Sequence, residues 1–290
     1  MISATSRCLD CIFNQAYRIT RSVGMDEEES WRFLIETMDV LSKTRRGDTP
    51  IHITRRVYDI LERFGYSDPF REIKRHSIEL ARELLSDIEK DFDMDDRLFE
   101  ALKISAAGNA LDFGLKDADI DILRDKFLQV MRKTLYAPDY EEFLRMLDGN
   151  EVLFIGDNAG ESVLDTLVLR ELVKKGIRVY YAVRHVPVIN DVIYEDAVKS
   201  GVSEYAEIVD SGSEYPGLVL EETYWEFQKL FRRCSVVISK GQGNLEGLYG
   251  VSDKVFFLLT AKCPHIAELL EVSEFSPVFV RNRSLSNTES

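Results

Sequence analysis

The feature that most constrains this chain is a change of grammar near its middle. From residue 1 to 148, apolar residues recur at helical spacing, as in Trp31, Leu34, Ile35, Met38 and Leu41, and again in Ile78, Ala81, Leu84, Leu85 and Ile88. Helix punctuation interrupts this half at Gly65-Tyr66-Ser67-Asp68-Pro69 and at Ala137-Pro138-Asp139. From residue 149 to 290, short apolar runs alternate with amphipathic stretches. The runs are Val152 to Ile155, Val179 to Val183, Ile208 to Val209, Val236 to Ile238, Val255 to Leu259 and Val278 to Val280. Strands separated by helical stretches imply right-handed crossovers and a parallel sheet covered on both faces. The expectation is an α/β chain: an α-helical domain over 1–148, then a Rossmann-like, doubly wound, mainly parallel sheet over 149–290.

With 290 residues and 45% hydrophobic content, the chain can bury a sizeable core. Its 37 Lys and Arg against 51 Asp and Glu give a formal charge of -14, which repels nucleic acid and anionic membranes. A small anionic substrate would therefore need a cation in its site. The first residues carry no apolar leader and the longest apolar run, Val255 to Thr260, is far too short to cross a bilayer, so a cytoplasmic protein is expected. Thiols stay reduced in that compartment, and Cys8, Cys11, Cys234 and Cys263 read as ligands, reactive groups or core rather than as a disulfide framework. A homo-oligomer is compatible with this composition.

In an open α/β sheet, ligands bind beyond the carboxyl ends of the strands. The first run is followed by Gly156-Asp157-Asn158-Ala159-Gly160-Glu161, and the second by Arg184-His185 and then Asn190-Asp191. After the fourth comes Ser239-Lys240-Gly241-Gln242-Gly243-Asn244, and after the fifth Thr260-Ala261-Lys262-Cys263-Pro264. Asp157 and Asp191 are hard oxygen ligands on neighbouring crossovers, and Asn158 adds a carbonyl oxygen, a set that suits a magnesium- or manganese-like cation. The plainer reading makes Asp157 a helix cap and Asn158-Ala159-Gly160 a turn; the second acidic loop favours metal. Lys240, where the backbone can form an anion-holding nest, supplies a point charge for phosphate. Two rival chemistries lack their signatures. The first turn has no G-x-G-x-x-G fingerprint for a dinucleotide or S-adenosylmethionine, and Asp157-Asn158-Ala159 lacks the second Asp of an aspartyl-phosphate phosphatase.

Taken together, these segments resemble the metal-dependent damage-control phosphatases, also catalogued as domain of unknown function 89. The carriers are Gly108-Asn109-Ala110-Leu111-Asp112, Gly156 to Glu161, Asn190-Asp191, Lys240 to Asn244 and Thr260 to Pro264. Cys8-Leu9-Asp10-Cys11 resembles the mark of one branch of that family. The resemblance implies that Asp157, Asn158 and Asp191 hold a divalent ion (manganese, magnesium, cobalt or nickel) and that Glu161 contacts substrate. It also implies that the segment from Gln242 to Glu246, with Gly241, Asn244, Asn190 and Lys262, holds the phosphate and polyol ends of a small phosphorylated metabolite. Leu259 stands where other branches have an Arg.

The expected reaction is hydrolysis of a small phosphate ester, a sugar phosphate or a damaged phosphometabolite, by metal-activated water, with Asp157, Asp191, Glu161 and Lys240 as the catalytic set. Asp191→Ala is expected to abolish it and leave the fold intact. Asn109 and Asp112, three apart, reach the cleft or serve as a cap or an interdomain hydrogen bond. Cys8 and Cys11, also three apart, supply half of a second metal site, a redox pair or inert buried thiols. Tyr205, Tyr215, Tyr224 and Trp225 wall a sugar pocket or pack a core, and among the histidines only His185 follows a strand closely. The alternatives are an S-adenosylmethionine-dependent carboxyl methyltransferase and a non-catalytic metal or sugar-phosphate binding protein.

Overall fold

A computed structural model of the chain describes residues 1–89, 96–109, 120–147 and 151–282. Seven helices come first: α1 (Ser6–Ser22), α2 (Glu27–Ser42), α3 (Pro50–Arg63), α4 (Arg71–Glu89), α5 (Arg97–Gly108), α6 (Ile120–Met131) and α7 (Tyr140–Met146). Strand and helix then alternate through β1 (Glu151–Ile155), α8 (Glu161–Lys174), β2 (Arg178–Val183), α9 (Tyr194–Lys199), β3 (Glu207–Asp210) and α10 (Trp225–Arg233). The chain continues through β4 (Val236–Lys240), α11 (Gly241–Leu248), β5 (Val255–Thr260), α12 (Pro264–Leu269) and β6 (Pro277–Arg281). All six apolar runs are strands. The protein is a mixed α/β fold around one six-stranded, mostly parallel sheet in the order β3-β2-β1-β4-β5-β6, with β6 antiparallel to β5.

The period-2 pattern of the strands divides the core into two layers. Val152, Phe154, Val179, Tyr181, Val236, Ile238, Phe256 and Leu258 face one side, where α4 to α8 cover them. Leu153, Ile155, Tyr180, Ala182, Val237, Phe257 and Leu259 face the other, under α10, α11 and α12. Helices α4 to α7 thus share a single core with the sheet. Helices α1 to α3 build a separate core around Ile12, Ile19, Phe33, Val57 and Leu61, and Val188 of the β2–α9 loop is buried in it. That root fixes the loop that carries Asn190 and Asp191.

Periodicity located α2 but not its surroundings. Of the stripe, Leu34 and Leu41 pack against the core while Trp31, Ile35 and Met38 are exposed, and α2 buries Phe33 and Thr37 beside them. The second stripe behaves as expected: Ile78, Ala81 and Leu84 are buried, with Leu85 and Ile88 packed beside them. Among the described residues, no helix is long and apolar enough to cross a membrane.

Because β1 is flanked by β2 on one side and β4 on the other, the crossovers leaving β1 and β4 diverge and open a crevice at their carboxyl ends. The turn Gly156 to Gly160 and the Lys240-Gly241 junction are the walls of that crevice.

Candidate functional site

The loops after β1 and β2 are zipped together by backbone. Val192 donates to the Asp157 carbonyl at 2.7 Å, Ala159 donates to the Asn190 carbonyl at 2.9 Å, and Asn158 and Asp191 form an isolated antiparallel bridge. Asn190 therefore joins the site through its main chain. The zipper brings both expected acids into one place, both buried.

Each side chain of the proposed ligand set has one polar end occupied and one left open. Asp157 Oδ2 accepts from Asn109 Nδ2 at 3.1 Å and Asn158 Nδ2 at 3.3 Å, whereas Asp191 Oδ2 accepts from Arg184 Nε at 2.7 Å. Asn158 Nδ2 also donates to Glu161 Oε1, an acceptor-only partner that fixes the orientation of the amide. Asp157 Oδ1, the Asn158 amide oxygen and Asp191 Oδ1 accept no hydrogen bond among the described residues; Arg184 Nη2 stands 3.8 Å from Asp157 Oδ1.

Electrostatics favours a cation here. Burial pushes the Asp157 carboxyl well above its ordinary value, and the negative charges of Asp191 and Glu161 add to that against Arg184 and Lys262. Burial likewise raises Asp191, to about 6, although Arg184 opposes it by charge and by hydrogen bond. One shared guanidinium does not neutralise two buried carboxylates. Among the described residues, no three His, Cys, Asp or Glu side chains gather as a metal cage. Two carboxylates and an amide are a sparser set, which suits an oxygen-loving divalent ion that keeps positions for water and substrate.

Arg184 is the residue that sequence reasoning undervalued. It is 1% exposed and joins three loops, holding Asp191, facing Asp157, and donating from Nη2 to Asn244 Oδ1 at 3.0 Å. Asn244 in turn donates to the carbonyls of Lys240 at 2.7 Å and Gly156 at 3.0 Å. Strand parity was the available signal: Tyr180 and Ala182 face the α11 layer, so Arg184, two further on, points to the same side.

Lys240 requires a correction. Its ammonium is fully buried, donating to the Ser105 carbonyl at 2.6 Å, Ser105 Oγ at 2.8 Å and Asp165 Oδ1 at 2.9 Å, with Glu161 Oε2 at 3.3 Å. All three protons are spent inside the protein, so Lys240 holds acids in place and offers none of them to the crevice. Val236, Ile238 and Lys240 share one strand face, the one that α5 and α8 cover, which is why the side chain goes there. Glu161, fully buried, is clamped between this ammonium and Asn109 Nδ2, which donates to it at 2.8 Å. Asn109 thus does reach the cleft, and its Oδ1 accepts from Thr260 N at 3.2 Å. Asp112 lies outside the described residues.

Gly241 is not replaceable without displacement. Its φ is +77°, and a Cβ built on it would stand 1.8 Å from Asp157 Oδ2.

Beside the crevice, a cavity of about 360 Å³ is lined by Gln242, Glu246 and Lys262 together with Cys8, Cys11, Cys263 and His265. None of Tyr205, Tyr215, Tyr224 and Trp225 lines it. Tyr215 instead stacks edge-on with His52, and Tyr224 bonds His185, which also meets Asp210 at 2.8 Å on the surface. In the cavity wall, burial pushes the Glu246 carboxyl up to about 7, against the opposing hydrogen bond from Gln242. A carboxyl raised from 4.5 in this way contributes stability that is complete below about pH 4.5 and lost as the pH rises through 7. Glu246→Gln is therefore expected to match the parent in urea unfolding at pH 4 and to exceed it at pH 8 by up to about 3 kcal/mol. Equal stabilities at pH 8 would refute the raised Glu246 carboxyl.

Known proteins resemble this chain over nearly its whole length. Residues 4–278 match the family described as "Damage-control phosphatase ARMT1-like domain". A damage-control phosphatase of Pyrococcus horikoshii is 31% identical over 281 residues, covering 95% of this chain and 97% of that protein. A damage-control phosphatase of Archaeoglobus fulgidus is 30% identical over 277 residues, covering 92% of this chain and 94% of its own. The crystal structure of a DUF89 family protein from Pyrococcus horikoshii superposes with a TM-score of 0.88 at 29% identity, covering 97% of this chain and all of that one. Relatives that carry the name support phosphatase activity and do not favour a methyltransferase or a passive binding protein. With its fold and nearly its whole length shared with these proteins, the chain belongs to the damage-control phosphatase ARMT1-like family.

Proposed function

We propose that the protein is a metal-dependent phosphatase of small phosphate esters, with Asp157, Asn158 and Asp191 as the ligands of one divalent ion. The observation that carries this reading is the trio of open oxygens on two zipped loops, beside two buried carboxylates that share one guanidinium. When bound, a divalent cation there supplies positive charge to the phosphoryl oxygens and activates water. The protein's own groups do the rest. Arg184 and Asn109 hold the outer oxygens of Asp191 and Asp157 so that the inner ones face the crevice. Glu161, locked by Lys240 and Asn109, orients Asn158.

The opening turn of α11, from Gly241 on, offers backbone N–H groups to phosphate, and Lys262 adds a positive charge at the cavity mouth. This replaces the expected contact from Lys240. Gln242 and Glu246 receive the alcohol portion of the ester, whose size is bounded by the cavity. In this reading the part from residue 149 on carries the metal on a Rossmann-like sheet, and the helical part up to 148 shapes the substrate side.

The test is phosphate release from an aryl phosphate and from a panel of sugar phosphates and other small phosphometabolites, with magnesium, manganese, cobalt and nickel supplied in turn to protein stripped by chelator. Release with at least one metal and none without supports the proposal. Equal release in excess chelator removes the metal from it, and no release under any condition removes the activity.

A further inference from the structure

Three of the four cysteines meet at the cavity described above. Cys8 and Cys11 come from α1 and Cys263 from the turn before α12, and all are free thiols. Nothing in the phosphatase reading uses them. Among the described residues, they and His265 do not stand as a metal cage, which leaves covalent sulfur chemistry as the better account of why they are together.

Helix geometry supplies the rest. Cys8 and Cys11 are i and i+3 on α1, so their side chains are neighbours about 5–6 Å apart at Cβ. Their Cα atoms, about 5 Å apart on such a helix, lie within the span that a disulfide bridges. A disulfide needs its Cβ atoms about 3.5–4.5 Å apart, so closing the bond also tightens the first turn of α1, where Cys8 sits. Cys8 lies in the first turn, where its sulfur accepts the Thr5 backbone N–H at 3.4 Å. Cys11 is exposed as a residue, so a small oxidant reaches the pair, although burial of its sulfur at the cavity pushes its thiol up. The Thr5 N–H donated to its sulfur at the start of α1 marks Cys8 as the one that opens the chemistry.

We propose that Cys8 and Cys11 are a modification site, a reversible dithiol–disulfide couple for peroxide-class oxidants, set in the wall of the substrate cavity. The word substrate rests on the function proposed above; the sulfur chemistry does not. The Cys8 sulfur attacks one peroxide oxygen and breaks the O–O bond, giving a sulfenic acid and one water. The Cys11 sulfur then displaces the hydroxyl from Cys8, forming the S–S bond and releasing a second water. Two thiols are oxidised, one peroxide is reduced, and both thiol hydrogens leave in water. Sulfurs drawn together to about 2 Å change the shape of the wall they line.

The full-length protein is treated with hydrogen peroxide, its remaining thiols are alkylated, and intact and peptide masses are read. The expected result is the loss of two hydrogen masses, a Cys8–Cys11 linked peptide, and full reversal by dithiothreitol. Complete alkylation of both cysteines, a bridge from either to Cys263, or irreversible oxidation of a single sulfur each overturns the proposal. These readouts need no enzymatic activity, so the couple stands or falls separately from the phosphatase reading. If phosphate release is observed, oxidation is expected to raise KM by about threefold or more with kcat nearly unchanged. Cys11→Ser is expected to give no linked peptide and to be oxidised at Cys8 alone. An unchanged KM in the oxidised parent overturns the link to the cavity.

Discussion

Gly241→Ala is expected to lower metal-dependent phosphate release by about a hundredfold or more, since a shift of about 1 Å in a catalytic group is enough for that loss. Two effects act together. The residue sits at φ +77°, a left-handed conformation that costs a side-chain-bearing residue about 1–2 kcal/mol. The added methyl would also stand 1.8 Å from Asp157 Oδ2, so either the carboxylate swings away or the start of α11 lifts. Both responses spoil the arrangement of open oxygens around the crevice. Chemical denaturation and metal titration separate the two effects: the parent's metal affinity retained in a merely destabilised variant would show that the contact is not part of the site. Gly243→Ala is a useful contrast, because its Cβ would meet the Pro216 carbonyl and not the acids.

Asp191 is the second position where a large loss is expected, and here the two obvious substitutions separate. Asp191→Ala removes a proposed ligand and the partner of Arg184 Nε, leaving a guanidinium that is 1% exposed against Asn244 and the more distant Asp157. Removing one partner of a buried ion pair costs about 3–5 kcal/mol, so this variant should lose both activity and stability. Asp191→Asn keeps an oxygen for Nε and loses the charge; it should unfold much closer to the parent and still fail to release phosphate. The outcome expected from sequence, an intact fold in the alanine variant, is revised because the strand-end arginine is buried. Urea unfolding of the three proteins beside a phosphate-release assay decides it. An Asp191→Asn variant as active as the parent would remove Asp191 from the site.

The strands were legible because a parallel strand buried on both faces reads as an unbroken apolar run, as Val255 to Leu259 does. The acidic turn was legible because few structural roles need Gly-Asp-Asn-Ala-Gly beside a second loop ending in Asn-Asp. The direction of side chains at strand ends was harder to read. Lys240 and Arg184 each follow an apolar run in sequence, yet one turns towards α5 and α8 and the other towards α11, and only the parity of their strands distinguishes them. The stabilising network behind Glu161 was invisible for a different reason. Ser105, Asp165 and Tyr181, which share hydrogen bonds of 2.6 to 2.9 Å, come from three separate elements and match no short motif. Periodicity also cannot say what stands opposite an apolar stripe, and so Trp31, Ile35 and Met38 read like core while facing solvent.

The burial of Val188 among α1 to α3 bears on how such an enzyme can be rebuilt. Asp191 lies three residues beyond a side chain that is rooted in the amino-terminal helices and not in the sheet. Trimming the chain to its α/β portion would keep every strand and still cut the tether of one of its two central acids. An engineer seeking a new substrate range therefore has to vary the exposed faces of those helices and the cavity wall, and leave the socket around Val188 untouched.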